Sequence, residues 1–216
     1  MQDLAAQVAG RYRGASRMAR GFIAGKLRRD PAVAALLALG AARGFGDVLD
    51  LGCGRGQLAI ALLLAGVAQR VTGLDIDAAK IALAQDAARG LPAAFAVADL
   101  ALAEIPPAET VLLIDVLLQL PHAAQVALLA RILAAGPRRI LIRAFDPDRG
   151  WRTAFGFAME RTRRLLGADR GLDGALAPRP LPEMTRPLQA AGFAIQVSPC
   201  WAGTPLPNVL LVAERP

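Results

Sequence analysis

The segment Val48-Leu49-Asp50-Leu51-Gly52-Cys53-Gly54-Arg55-Gly56 constrains the fold more than any other part of the chain. An aliphatic run stops at an acidic position and breaks into alternate glycines, which predicts a strand turning sharply into a ligand-cradling loop. Glycine at 52, 54 and 56 admits positive φ and lets the backbone approach a ligand with no Cβ in the way. A flat, nucleoside-like ligand suits such a loop. Its spacing departs from the dinucleotide fingerprint G-x-G-x-x-G, because the third glycine is Gly56 and Gln57 stands where the fingerprint wants glycine.

The acidic residues say what kind of ligand fits. Asp50, at the carboxyl end of the first strand, suits a cationic ammonium better than a diphosphate. A second strand, Val71-Thr72-Gly73-Leu74-Asp75, ends in a carboxylate about 20 residues on, placed to accept hydrogen bonds from two ribose hydroxyls. Asp77 caps a following helix that runs toward Arg89 and Gly90. A third strand, Ala94 to Ala98, ends at Asp99, suitably placed for an adenine amino group, and a fourth, Thr110 to Ile114, ends at Asp115. S-adenosylmethionine combines an ammonium, a ribose and an adenine, and it carries no phosphate.

On these residues the chain resembles the class I S-adenosylmethionine-dependent methyltransferases. The family's glycine loop matches Asp50, Gly52, Gly54 and Gly56, its ribose acid Asp75, its adenine-side acid Asp99, and its position after strand four Asp115. The resemblance implies a Rossmann-like α/β/α sandwich on a mostly parallel seven-stranded sheet, with the last strand antiparallel. It implies S-adenosylmethionine as methyl donor, S-adenosylhomocysteine as product, and a cofactor set that also takes in Cys53, Ile76 and Leu100. Each residue has a plainer reading, since Asp is a common N-cap and Gly a common turn residue; for Asp115 capping and cofactor or substrate contact weigh equally.

A length of 216 residues, 55% of them hydrophobic, is enough for one sizeable core and short for two. Mean hydropathy is +0.40, but the apolar runs are broken by charges and by Pro121, so no membrane-spanning helix is expected. Without an apolar leader pattern at its start, the chain reads as cytoplasmic. Cys53 and Cys200 have no metal-ligand spacing, and a single histidine, His122, argues against a His-rich metal site. The pair Pro199-Cys200 resembles the nucleophile motif of RNA cytosine methyltransferases, but it follows a later strand than theirs. A structural cysteine is the preferred reading.

The remaining punctuation divides one domain into four parts. Residues 1–46 form a helical cap, including a helix opened by Asp30-Pro31 and ended near Gly40. Residues 47–145 form the cofactor core, with a helix from His122 to Ala134 and a fifth strand from Arg139 to Arg143. Residues 146–190 form a substrate-side helix and loop, the helix carrying Phe155, Met159 and Thr162 on one face and Arg161 and Arg164 on another. Residues 191–216 form a closing hairpin of Phe193 to Val197 and Val209 to Val212.

Charge is uneven along these parts. Net charge is +6 over residues 1–46, −3 over 47–148 and +4 over 149–216, within a total of +7. A basic mouth over an acidic cofactor core attracts anionic partners. Arg11, Arg13, Arg17, Arg20, Lys26, Arg28 and Arg29 interleave with Tyr12, Met18, Phe22, Ile23 and Leu27, a pattern open to a membrane surface, including a peripheral place on the inner membrane, to an acidic carrier protein or to nucleic acid. Nucleic acid is the least favoured of these, because aromatics are only 5% of the chain and Asp115-Val116-Leu117-Leu118 lacks a base-clamping aromatic. Gly25-Lys26-Leu27-Arg28-Arg29-Asp30-Pro31, Phe145-Asp146-Pro147 and Trp151-Arg152 are similar to small methyltransferases of bacterial aryl-polyene pathways. That weaker resemblance implies a small aromatic acceptor, free or bound to an acyl carrier protein. The catalytic residue is not assigned: His122, Tyr12 and Asp146 are candidates, each with a structural alternative as helix start, packed aromatic and turn. A catalytically silent partner-binding subunit on the same fold and, further off, an RNA methyltransferase or an NAD-type reductase stay open beside the small-molecule methyltransferase.

Overall fold

In the computed structural model, which describes residues 2–148, 150–153 and 177–215, seven strands form one sheet. They are β1 (Asp47–Leu51), β2 (Arg70–Asp75), β3 (Ala93–Val97), β4 (Thr110–Ile114), β5 (Arg139–Phe145), β6 (Ala194–Pro199) and β7 (Asn208–Glu214). The order is β3-β2-β1-β4-β5-β7-β6. β1 to β5 are mutually parallel, and β7 lies antiparallel between β5 and β6. This is the expected Rossmann-like sheet.

Burial of both faces explains the near-continuous apolar strands. Alternate residues go to two separate cores: Val48, Leu112, Leu141 and Leu210 to one, Leu49, Leu51, Val111, Leu113, Ile140, Ile142 and Leu211 to the other. The first core is covered by α1 (Gln2–Arg11), α2 (Arg17–Arg29), α3 (Pro31–Arg43), α4 (Gln57–Leu64) and α5 (Ala78–Ala87). The second is covered by α6 (His122–Ala134) and α7 (Leu181–Ala190). Asp50, two residues from Val48, therefore points toward the N-terminal helices.

One expectation about the cap is corrected, and its basic stretch proves to be interrupted. The basic stretch from Arg11 to Arg29 is two helices broken at residues 12–16, with Ser16 capping α2 through the Ala19 N–H. α3 does not end at Gly40 but runs to Arg43. Gly40 is buried, and a Cβ there would lie 2.8 Å from Val67 and 2.9 Å from the Phe45 ring, so the glycine serves close packing rather than termination. Phe155, Met159, Arg161, Thr162 and Arg164 lie outside the described residues.

Candidate active site

The loop after β1 is held by its neighbour strand. Gly52 and Cys53 donate to the Leu74 carbonyl at 2.7 and 3.0 Å, and Gly56 N–H returns to the Cys53 carbonyl at 2.9 Å. The three glycines all have positive φ, +73°, +57° and +71°, but they do different work. A Cβ on Gly52 would sit 2.2 Å from Val116 Cγ2, and one on Gly56 would sit 2.8 Å from the Phe95 ring, whereas one on Gly54 would meet nothing within 4 Å. Gly52 and Gly56 thus admit protein, and only Gly54 borders open space where a ligand can approach. Cys53 is buried, and burial pushes its thiol up beyond the range of a useful nucleophile. Its contribution is through the backbone.

Two carboxylates frame the loop. Asp75 accepts the Gly54 N–H at 2.8 Å on Oδ2 and the Asp77 N–H at 2.9 Å on Oδ1. One hydrogen bond per oxygen fixes the carboxylate plane and leaves each oxygen a second lone pair, the acceptor pair that a ribose diol requires. Ile76, the next residue, is 64% exposed, an apolar surface without a cover. Asp50 is only 2% exposed, and its Oδ2 has no hydrogen-bond partner. Burial, with the Asp75 charge adding to it and Lys26 opposing, pushes its pKa up to about 7. A buried orphan carboxylate oxygen beside a ligand loop is a receptor for a cation.

Beyond β3, Asp99 is exposed and accepts the Ala101 N–H at 2.9 Å, so it closes a turn. Leu100 behind it is buried. The Arg131 guanidinium of α6 holds this turn by donating to the carbonyls of Leu100 at 2.5 Å, Ala101 at 3.1 Å and Ala103.

The cap meets the strand ends through an ion cluster. Arg143 of β5 donates from Nη1 to both oxygens of Asp30 at 2.9 Å and to Asp115 Oδ2 at 3.1 Å. The Asp30 and Arg143 side chains are 9% and 7% exposed. Asp115 stands just past β4 with φ +63°, the only described residue other than glycine with positive φ. Its carboxyl is pushed up by burial, against the pull of Arg143 and Lys26. With 35% of its side chain open, the shift reflects crowding by protein on several sides rather than full exclusion of water. Burial also works against the Arg143 charge, but Asp115 and Asp30 outweigh it and raise its pKa. Cys200, buried beside this cluster, is likewise raised by burial.

Among the three catalytic candidates, the structure separates roles. Tyr12 is 1% exposed and its hydroxyl donates to the Arg55 carbonyl at 2.6 Å. Burial raises its pKa well above the ordinary phenol value, so it anchors the cap to the glycine loop and is a poor base. Asp146 is buried, and its Oδ1 accepts the Asp148 N–H at 3.1 Å while its carbonyl accepts from Thr153 Oγ1 at 3.2 Å, a built turn. His122 is exposed at the first residue of α6.

Sequence reasoning missed Arg143, Asp30 and Lys26 as members of one site, and Arg131 as the clasp on the β3 turn. A charged residue directly after Ile140-Leu141-Ile142 and before Ala144-Phe145 was the available signal for Arg143, since a buried charge demands a partner. Nothing local signalled which partner.

The arrangement can hold a ligand with a cationic end at Asp50 and a vicinal diol at Asp75, with the Asp115–Arg143 ion pair and the Lys26 charge nearby. Residues 48–136 match the family described as "Methyltransferase domain". No curated protein matches the chain. Among solved structures, magnesium protoporphyrin IX methyltransferase (ChlM) from Synechocystis PCC 6803 with bound SAH is similar, with TM-score 0.66, 23% identity, and coverage of 94% of this chain and 89% of that one. A DhpI-SAM-HEP complex has TM-score 0.56 and 25% identity, covering 86% of each chain. The [4+2]-cyclase SpnF has TM-score 0.60 and 19% identity, covering 86% and 81%. The glycine loop and the strands that follow it thus lie inside a stretch similar to a methyltransferase domain, and the sheet order around them is that of the Rossmann-like methyltransferase fold.

Proposed function

We propose that the chain moves a methyl group from S-adenosylmethionine to a small-molecule acceptor, free or tethered to a carrier. The observation that carries this reading is the pair of carboxylates at the loop: Asp50 with a buried oxygen lacking a partner, and Asp75 with its plane fixed by two backbone N–H groups. Bound there, S-adenosylmethionine supplies an electrophilic sulfonium methyl, transferred by in-line displacement. Asp50 would meet the methionine ammonium, Asp75 the ribose hydroxyls, and Asp99 with Leu100 the adenine edge. Gly54 allows the close approach. The acceptor end belongs to the strand-four and strand-five termini, where Asp115 is held by Arg143 and faced by Lys26 of the cap.

The name of ChlM, a magnesium protoporphyrin IX methyltransferase, supports a small acceptor, and its 23% identity to this chain leaves the acceptor's structure open. Exposed Arg13, Arg17, Arg28 and Arg29 beside exposed Met18 and Phe22 support delivery by an acidic carrier protein. One second reading has an observation in its favour: SpnF is described as a cyclase on the same fold, so a partner or substrate could use this site without methyl transfer.

Calorimetry with S-adenosylmethionine, S-adenosylhomocysteine and NAD tests the proposal. Binding of the first two without the third is expected, and Asp75→Ala should weaken it about tenfold or more, because it removes hydrogen bonds to a charged acceptor. Failure of wild-type protein to bind either sulfur ligand overturns it.

A further inference from the structure

The end of the sheet opposite the glycine loop carries a second charged site. Two adjoining clefts of about 540 and 170 Å³ open there, sharing Arg43, Arg138 and Arg139. Arg43 ends α3, Arg138 and Arg139 open β5, and Arg139 pairs across the sheet with Glu214 of β7, followed by Arg215. The larger cleft is lined by these four arginines, Ala194 and one acid, Glu214.

That acid is already saturated. Glu214 Oε1 accepts Arg139 at 2.5 and 3.2 Å, and its Oε2 accepts Arg43. Arg139 is further fixed by donating to the Gly44 carbonyl at 2.7 Å and by stacking over Phe45, so its charge cannot swing away. The acid of the smaller cleft, Glu109, accepts the Asp47 N–H at 3.2 Å and keeps its charge, so the excess of cations belongs to the larger cleft. Among the described residues, Arg138 and Arg215 have no acidic partner. They are adjacent, the Arg215 N–H donating to the Arg138 carbonyl at 2.9 Å. Arg215 stacks on Phe193, with its Cζ 4.7 Å from the ring centroid, and its Nε is buried without an acceptor.

We infer that the cleft framed by Arg43, Arg138, Arg139 and Arg215 is a binding site for a phosphate-type oxyanion, remote from the methyl-transfer site. Planar guanidinium forks match tetrahedral oxyanions with paired donors, and a concave cleft of this volume suits a small molecule. Nothing in the inference depends on the identity of the cofactor.

The full chain, titrated with inorganic phosphate and with pyrophosphate against sodium chloride at equal ionic strength, provides the test by calorimetry and thermal melting. Saturable binding and a raised melting temperature with phosphate but not chloride are expected. Tighter binding of pyrophosphate would support a ligand with two phosphate groups. Arg138→Ala/Arg215→Ala should lose about tenfold or more in affinity, and Arg138→Lys/Arg215→Lys should retain part of it. If the double alanine variant fails to fold by circular dichroism, Arg138→Ala alone decides by the same criterion, since the Arg138 side chain is exposed. Equal effects of phosphate and chloride, or undiminished phosphate binding by the folded alanine variant, overturn the inference.

Discussion

At the scale of single residues, the glycine loop separates packing from binding. Gly52→Ala brings a methyl to 2.2 Å from Val116 Cγ2 at a φ of +73°, so a large drop in melting temperature is expected. Gly54→Ala meets no protein atom, and its cost to folding is the left-handed backbone alone, about 1–2 kcal/mol. Its defect should fall on S-adenosylmethionine affinity, read by calorimetry beside the melt; a Gly54→Ala protein that binds as well as wild type would remove this residue from the contact surface. Asp50 makes a pH prediction. Its pKa in the fold, about 7, lies above its ordinary value near 4. The folded chain therefore holds more protons than the unfolded chain across that window, and Asp50 subtracts stability progressively as pH rises from about 4 to 7. An ammonium on Oδ2 favours the carboxylate and reverses the shift, so binding near pH 6 should release a proton and affinity should rise toward pH 7, then level off. Calorimetry in buffers of different ionisation enthalpy measures that proton, and Asp50→Asn should abolish it. A buffer-independent heat in wild type would contradict the assignment.

At the scale of elements, three ties between the cap and the core bear on the site, beside the Arg43 and Gly44 contacts at the other end of the sheet. Arg11 at the end of α1 donates to the carbonyls of Ala87 and Arg89 at 2.6 and 2.5 Å, complementing the C-terminus of α5. Tyr12 reaches the Arg55 carbonyl. Asp30, which caps α3 through the Ala32 N–H at 3.0 Å, also accepts Arg143. The third tie is the most demanding because its charges are nearly excluded from water. Arg143→Met leaves Asp30 buried without a counter-charge, for a loss of about 3–5 kcal/mol. Asn at position 30 keeps the helix cap and removes the charge, so Asp30→Asn/Arg143→Met should recover much of that loss in urea denaturation. A double variant no more stable than Arg143→Met alone would show that the pair is not the dominant partner. The same guanidinium also holds Asp115, so the tie reaches the end of β4.

For the whole molecule, a ligand that binds only the folded state should raise its melting temperature. S-adenosylhomocysteine at about 100 times its Kd is worth about 2.7 kcal/mol, or about 5–10 °C for a domain of this size. An unchanged melt at saturation would argue against the cofactor assignment. Most strands and the positions of the loop acids were legible in the sequence because they depend on local signals: apolar runs, a following Asp, and glycines where the chain turns; the sheet came only with the family resemblance, and its strand order only with the structure. The ion cluster was not, since Asp30 and Arg143 are separated by 113 positions and meet only where the junction of α2 and α3 packs on β5. Gly40 was misread for the related reason that its neighbours, Phe45 and Val67, are set by packing. Tyr12 could not be apportioned between pocket and core until the Arg55 carbonyl was seen in front of it. One consequence of the sheet order concerns synthesis on the ribosome. β5 pairs with β4 on one side and with β7 on the other, and β7 does not emerge until 63 positions after Phe145. At roughly 5–20 residues per second, the nascent chain spends several seconds with the fully buried strand Arg139–Phe145 presented as an open sheet edge. During that interval the strand is a template for pairing with another chain, which makes the nascent protein a substrate for chaperones and ties its yield to how fast residues 208–214 follow.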